Sequence, residues 1–400
     1  MTASPSPVPV LSDGTLRLMA IACGVCVANV AYNQPLLGDF AAYFHATPAQ
    51  VGWVAMASQV GYGLGLLLFL PLGDIVERRR LVVSLILICA LVLLGTAAAP
   101  TLSLLILGNF LIGATAMGAQ ILIPLAVELA PPGRQGRTVG VMMTGLLGGL
   151  LLARTLSGVI GDHFGWRAPF GLAAIIMGAL AVLLQRGLPL SPPRATLPYR
   201  KLMLSLWDVA RSQPRLWRPS IVGALSFATF TAFWTSLSFL MAETFHRGAT
   251  ETGLFGVVGL VGALAAPWAG KLADRRGPAF TVYLSLGVVA LAFALMGSIV
   301  TIPVLIVGVL LMDVGVQAAQ VAEQGTVLSL VPEARSRLNT LYMVSRFTGG
   351  AAGSLMGALA WSWGRWPAVC AVALGATVLA LAVHAVGRRL ERTVSAPVAA

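Results

Sequence analysis

Charge is what this sequence has least of. Asp, Glu, Lys and Arg make up 10% of its 400 residues, whereas a water-soluble domain carries about 25%. That shortfall excludes an ordinary soluble enzyme, because such a domain could not cover its surface. Lysine is nearly missing: among 26 basic residues only Lys201 and Lys271 are lysine, and neither follows a Gly-rich phosphate loop. No P-loop means no sign of ATP drive. Cysteine is scarce too. Cys23, Cys26, Cys89 and Cys370 all fall in apolar stretches, so Cys23-x-x-Cys26 reads as two small residues on one helix face rather than a redox or metal pair. Of the four histidines, His45, His163 and His246 fall in connections and His384 near the end of an apolar run. No metal cluster and no Ser/His/Asp set can be placed together, so we expect no metal, no cofactor and no enzyme. The net charge of +12 would suit nucleic acid. The arginines, however, lie in short clusters between apolar runs and not on one soluble face, which excludes that partner.

What is abundant is apolar sequence, at 58%. A membrane-spanning helix needs roughly 20 apolar residues. Twelve such runs occur, at 15–37, 49–72, 81–99, 102–129, 137–161, 168–186, 219–242, 251–272, 280–298, 303–330, 337–360 and 367–387. Barrel strands would be shorter and would alternate. The expectation is an all-α membrane protein of twelve transmembrane helices. Basic residues should stay in the cytoplasm. One set of connections, with Arg17, holds 21 of them, from Arg78-Arg79-Arg80 to Arg388, Arg389 and Arg392. The other set holds Arg167, Arg247 and Arg365. Both termini are therefore expected on the cytoplasmic side of a multi-pass protein. Residues 1–14 are polar and Pro-rich and do not read as a signal peptide.

The chain also repeats itself. Gln120, Pro132, Arg137, Met143, Gly149 and Trp166 recur 200 positions later as Gln320, Pro332, Arg337, Met343, Gly349 and Trp366. Two pseudo-symmetric six-helix halves follow, at 15–186 and 219–387, between tails 1–14 and 388–400. The 187–218 linker carries Pro189, Pro192, Pro193, Pro198 and Pro214. Within it, Leu202, Met203, Leu206, Val209 and Ala210 oppose Arg200, Lys201, Asp208 and Arg211, the pattern of an amphipathic helix on a membrane surface. Repeated halves of this kind are a transporter architecture, moved by rocking about a central site.

Span two ends in Gly73-Asp74-Ile75-Val76-Glu77-Arg78-Arg79-Arg80, and span eight in Gly270-Lys271-Leu272-Ala273-Asp274-Arg275-Arg276-Gly277. Both resemble the loop motif of the major facilitator superfamily. Tyr32-Asn33-Gln34-Pro35-Leu36-Leu37, Gln120 with Pro124, and Arg335-Ser336-Arg337-Leu338-Asn339-Thr340 are similar to a bacterial subgroup near the twelve-span drug:proton antiporters. The resemblance implies the major facilitator fold, a monomer in the bacterial inner membrane, and proton-coupled efflux of a small amphipathic compound by alternating access. It also implies a cytoplasmic gate latch of Gly73, Asp74, Glu77, Arg78 and Glu128, with Gly270, Asp274, Arg275 and Glu323. The first copy departs from the pattern in its Glu77 and in the lack of Gly between its arginines. In many family antiporters an Arg stands where this chain has Asn109.

Charge inside a bilayer is costly and is kept for use or paired. Asp313, Gln317, Gln320 and Gln324 are spaced 4, 3 and 4 apart and share one face of span ten. Asp313 lies roughly 15 Å deep by helical rise. Arg346 on span eleven reaches a similar depth, so we expect the two to pair and Asp313 to carry the coupling proton. Arg154, on span five, has Asp39 as its candidate partner by depth. Tyr32, Asn33 and Gln34 with Gln120 offer amides to a substrate, and Phe233 and Trp234 offer an aromatic wall, beside Gln317 and Gln320. An alternative use of Arg154 and Arg346 is a clamp for a small organic anion taken up by the cell.

Overall fold

Helices are the cheapest way to hide backbone polar groups in lipid, and the computed structural model of the chain is built from them. It describes residues 11–131, 133–191, 198–263 and 266–395, apart from the side chains of residues 74, 151, 260–263, 266–267, 332 and 391–395. Among the described residues there are no strands. The first half comprises α1 (Asp13–Ala28), α2 (Leu37–Tyr43), α3 (Pro48–Ile75), α4 (Arg78–Ala97), α5 (Leu102–Thr115), α6 (Gly118–Leu129), α7 (Gln135–Phe164) and α8 (Arg167–Gly187). A linker helix, α9 (Tyr199–Ser212), leads to α10 (Trp217–Glu243), α11 (Ala249–Ala263), α12 (Ala266–Arg276), α13 (Pro278–Ser298), α14 (Ile302–Leu328) and α15 (Arg335–Ser395).

Nine helices among the described residues are long and apolar enough to cross a membrane. That number and the twelve apolar runs differ at three places. Span one is split: between α1 and α2 residues 29–36 form turns, closed by bonds such as Gln34 N to Ala31 O at 3.3 Å and Leu36 N to Asn33 O at 3.1 Å. Pro35 cannot donate there. Span eight is described as α11 and α12, on either side of residues 264–265, which lie outside the described residues. Spans eleven and twelve run together in α15, broken only by the non-helical backbone of Gly364 and Arg365.

The sequence repeat is also a repeat of contacts. Gly149 on α7 packs against the backbone of Gly24 on α1. Two hundred positions on, Gly349 on α15 packs against the backbone of Ala224 on α10. A side chain at either glycine would collide with the facing main chain, so both halves bring these helices together through the same small-residue contact.

The halves meet along two seams, α7 against α11 and α3 against α15. The described hydrogen bonds between them lie at the end remote from the basic connections. Asp162, at the end of α7, accepts from Ala249 N at 2.9 Å and Thr250 N at 2.6 Å. It thereby caps α11 of the other half, using the acceptor that a helix N-terminus needs. Thr155 Oγ1 donates to Gly253 O at 3.1 Å, and Gly38 N donates to Ser238 Oγ at 2.9 Å.

The linker helix α9 forms within the expected region and buries Leu206, Val209 and Ala210 while Trp207 stays exposed. Tyr199 Oη donates to Leu68 O at 3.0 Å, tying the linker to α3. Linker residues 192–197, most of tail 1–14 and the last five residues of tail 388–400 lie outside the described residues.

Candidate functional site

The cavity between the halves has a volume of about 330 Å³. One wall presents Gln34, Gln59, Tyr62, Gln120 and Arg154 from the first half; the facing wall presents Asp313, Gln317, Gln320, Gln324 and Arg346 from the second. Phe227, Phe230 and Phe347 cover the apolar part. Sequence spacing alone put the α14 stripe on one face, and all four of its residues do line the cavity.

Arg154 is 6% exposed. Its Nε donates to Gln34 Oε1 at 2.6 Å, and its guanidinium lies 4.2 Å from the ring centre of Trp234 on the other half. Its expected partner Asp39 is not the group it touches. Arg154 needs an acceptor at the level of the unwound span-one segment, and Gln34 is there, whereas Asp39 follows on α2 next to Gly161.

Asp313 is 4% exposed, and its Oδ1 has no hydrogen-bond partner. Its Oδ2 rests against Gly259 and Trp234 lies beside the same glycine, so a side chain in place of Gly259 would strike the carboxylate. The cation whose field reaches Asp313 is Arg154, across the cavity from the other half. No ion pair joins Asp313 to Arg346. Arg346 sits at the expected depth, but its guanidinium is turned to the Phe227 ring, 4.3 Å away, and leaves Nη1 buried and unpartnered. Depth along a helix fixes height, not the direction a side chain faces.

Other expected site residues stand behind the wall. Asn33 Nδ2 donates to Asn109 Oδ1 at 2.8 Å, which joins span one to α5. Tyr32, Phe233 and Trp234 are not among the lining residues; Phe233 is packed against Trp366 and Phe293. The sequence reading passed over Gln59 and Tyr62, three apart in span two, although polar residues in an apolar run were a signal. Gln120 Nε2 donates to Tyr62 Oη at 3.2 Å.

The described contacts of the first copy of the loop motif lie within the first half and the linker. Arg78 Nη1 meets Glu128 Oε2 at 2.7 Å and its Nε donates to Gly73 O at 3.0 Å. All three lie in the first half, so this pair joins α4 to α6. The side chain of Asp74 lies outside those described. Glu77 Oε1 accepts from Arg79 N and Oε2 from Arg80 N, capping α4. Asp274 and Arg275 are exposed, and Gly270 has open space beside it. Glu323 belongs to no loop contact: its partners are Arg218 and His384, inside the second half.

Two helical halves, seamed along their edges and enclosing a cavity lined from both sides, define a membrane transporter. The family profile of the Major Facilitator Superfamily matches residues 19–354. The uncharacterized transporter YgaY of Escherichia coli O157:H7 is 41% identical over 370 residues, covering 92% of this chain and 93% of YgaY. The multidrug resistance protein B homolog of Mycobacterium tuberculosis H37Rv is 27% identical, over 86% of this chain and 76% of its own. Among solved structures, the bacterial homolog of the human lysosomal transporter Spinster, in an inward-facing and unoccupied conformation, superposes with a TM-score of 0.73 at 13% identity, covering 96% of each chain. The chain belongs to the Major Facilitator Superfamily, and it is a membrane transporter with bacterial relatives.

Proposed function

We propose that this transporter exports a small amphipathic organic compound in exchange for protons. The observation that carries the reading is the opposition of Asp313 and Arg154: two buried charges on different halves, facing one cavity, without a direct ion pair. An ionised Asp313 attracts Arg154 and favours the closed seam between α7 and α11. A protonated Asp313 loses that attraction, which at short range inside a protein is worth a few kcal/mol. Proton binding is thereby coupled to the relative position of the halves. The six-glutamine lining and the phenylalanines suit a molecule with both polar and apolar parts. The multidrug resistance relative supports export.

The test uses the full chain in lipid vesicles, an imposed pH gradient, and fluorescent amphipathic dyes that are cationic, neutral or anionic. We expect a gradient-driven flux that Asp313→Asn abolishes while leaving dye exchange intact. A flux with unchanged pH dependence in that variant rules out Asp313 as the coupling group. A second reading, uptake of a small organic anion clamped by Arg154 and Arg346, is favoured by the unpartnered Arg346 Nη1 in the cavity wall. It requires that anionic dyes alone be moved and that Arg346→Gln weaken them about tenfold or more.

A further inference from the structure

Away from the cavity lining, α14 and α15 bury a carboxylate and an imidazole against each other. Glu323 and His384 are each 1% exposed, and His384 Nδ1 lies 3.1 Å from Glu323 Oε1. Arg218, at the start of α10, brings its Nη1 to 3.1 Å from the same Nδ1 and 4.0 Å from the same carboxylate oxygen. These contacts compete. Toward a carboxylate, Nδ1 must donate; toward a guanidinium, it must accept. A single ring nitrogen does one or the other according to whether it holds a proton. Two arrangements therefore fit one set of positions. With a proton on Nδ1, the imidazole bonds Glu323 and Arg218 turns to the carboxylate. Without it, Nδ1 accepts from Arg218.

We propose that Glu323 and His384 form a proton-binding site of their own, distinct from Asp313 and read by Arg218. Glu323 Oε2 and His384 Nε2 are both buried without partners, so each has unused capacity for a proton or a hydrogen bond. Leaving such atoms unpaired is costly, which argues for use rather than packing. Several described groups surround the pair. Arg218 faces it from α10, and Tyr283 of α13 stands edge-on to the imidazole at 4.7 Å. On α15, Tyr342 lies in the field of both Glu323 and Arg346, and Arg388 follows one turn beyond His384. Tyr342 is buried beside the Arg346 guanidinium, whose Nη1 is buried without a partner. Arg346 lines the cavity. The pair is too enclosed for anything larger than a proton, and among the described residues no group of metal-ligating side chains accompanies it. Arg218 stands at the foot of the helix that carries Phe227, Phe230 and Trp234, so its two positions bear on the helix that shapes the cavity.

The experiment needs no transported compound. The full chain in lipid nanodiscs is taken from ~pH 8 to ~pH 5, while ¹⁵N-histidine resonances and the infrared carboxyl stretch are followed. The pair is expected to gain one proton. It shows either as a protonated-carboxyl band lost in Glu323→Gln and kept in Asp313→Asn, or as an imidazolium signal lost in His384→Gln. In Arg218→Gln that change is expected to be displaced, because the competing cation is gone. Should Glu323→Gln or His384→Gln fail to fold, the wild-type change and its displacement in Arg218→Gln decide. The proposal is overturned if neither signal changes in the wild type, if the change survives both Glu323→Gln and His384→Gln, or if Arg218→Gln leaves it in place. A band lost in Asp313→Asn alone, with no imidazolium signal from His384, supports the coupling role of Asp313 and refutes this site; a band lost in Glu323→Gln alone supports this site.

Discussion

The two copies of the loop motif read alike and behave differently. In the second half the spelling is nearer the family pattern, yet Asp274 and Arg275 lie exposed and the following helix is started by other means. Gly277 adopts φ +87° and Pro278 occupies the first turn of α13, with no side-chain cap. Proline brings no N–H to satisfy, and glycine tolerates the left-handed backbone, so α13 begins with one donor fewer and without a cap from Asp274. In the first half there is neither Gly nor Pro before α4. Its first N–H groups are left to Glu77, which takes two of them and also accepts from Ser191 N at 3.1 Å. Arg78 is then drawn inward to Glu128. Whether a motif is engaged depends on which orphan donors its neighbours leave.

That contrast can be broken from its strong side first. Glu128→Gln removes the carboxylate from a pair in which the Arg78 side chain is only 10% exposed. Losing a charge-assisted hydrogen bond of this kind costs about 1.5–3 kcal/mol, and the melting temperature in detergent should fall by a few degrees. A melt equal to wild type would mean the pair is ornamental. Glu77→Ala should cost about 1–2 kcal/mol as a lost helix cap. It should also raise proteolysis near Ser191, and unaltered cleavage there would detach the linker from this contact. Arg275→Gln should change stability by no more than about 0.5 kcal/mol. A larger loss would show that the second copy is engaged after all.

Much of the fold was legible because bilayers impose length. Spans two to seven, nine and ten each fall on a helix or a pair of successive helices, and the interruption of span one falls where the sequence carries Pro35. The 200-residue repeat marked Gly149 and Gly349, and both turned out to touch the equivalent partner. Within the site, the period of α14 placed Asp313, Gln317, Gln320 and Gln324 on one wall. Pairing was harder to read. Arg346 and Asp313 share a depth but face different ways, and Asp162 gives no sign in sequence of capping a helix 87 positions away. His384 looked like a lone histidine near a helix end, because its partners Glu323 and Arg218 are 61 and 166 residues distant. Periodicity reports the face of one helix; it carries nothing about the azimuth of its neighbour.

Asp162 has one consequence for how such a protein divides its time between shapes. It belongs to α7 but completes the end of α11, so that helix is finished only while the halves touch there. Each opening of that seam leaves the first amides of α11 to water, and each closing restores their acceptor. A cap worth about 1 kcal/mol changes the ratio of closed to open molecules roughly fivefold. Under the proposed exchange by movement of the halves, the cycle would make and unmake a helix terminus, and the balance of its states would be set in part by a carboxylate away from the cavity.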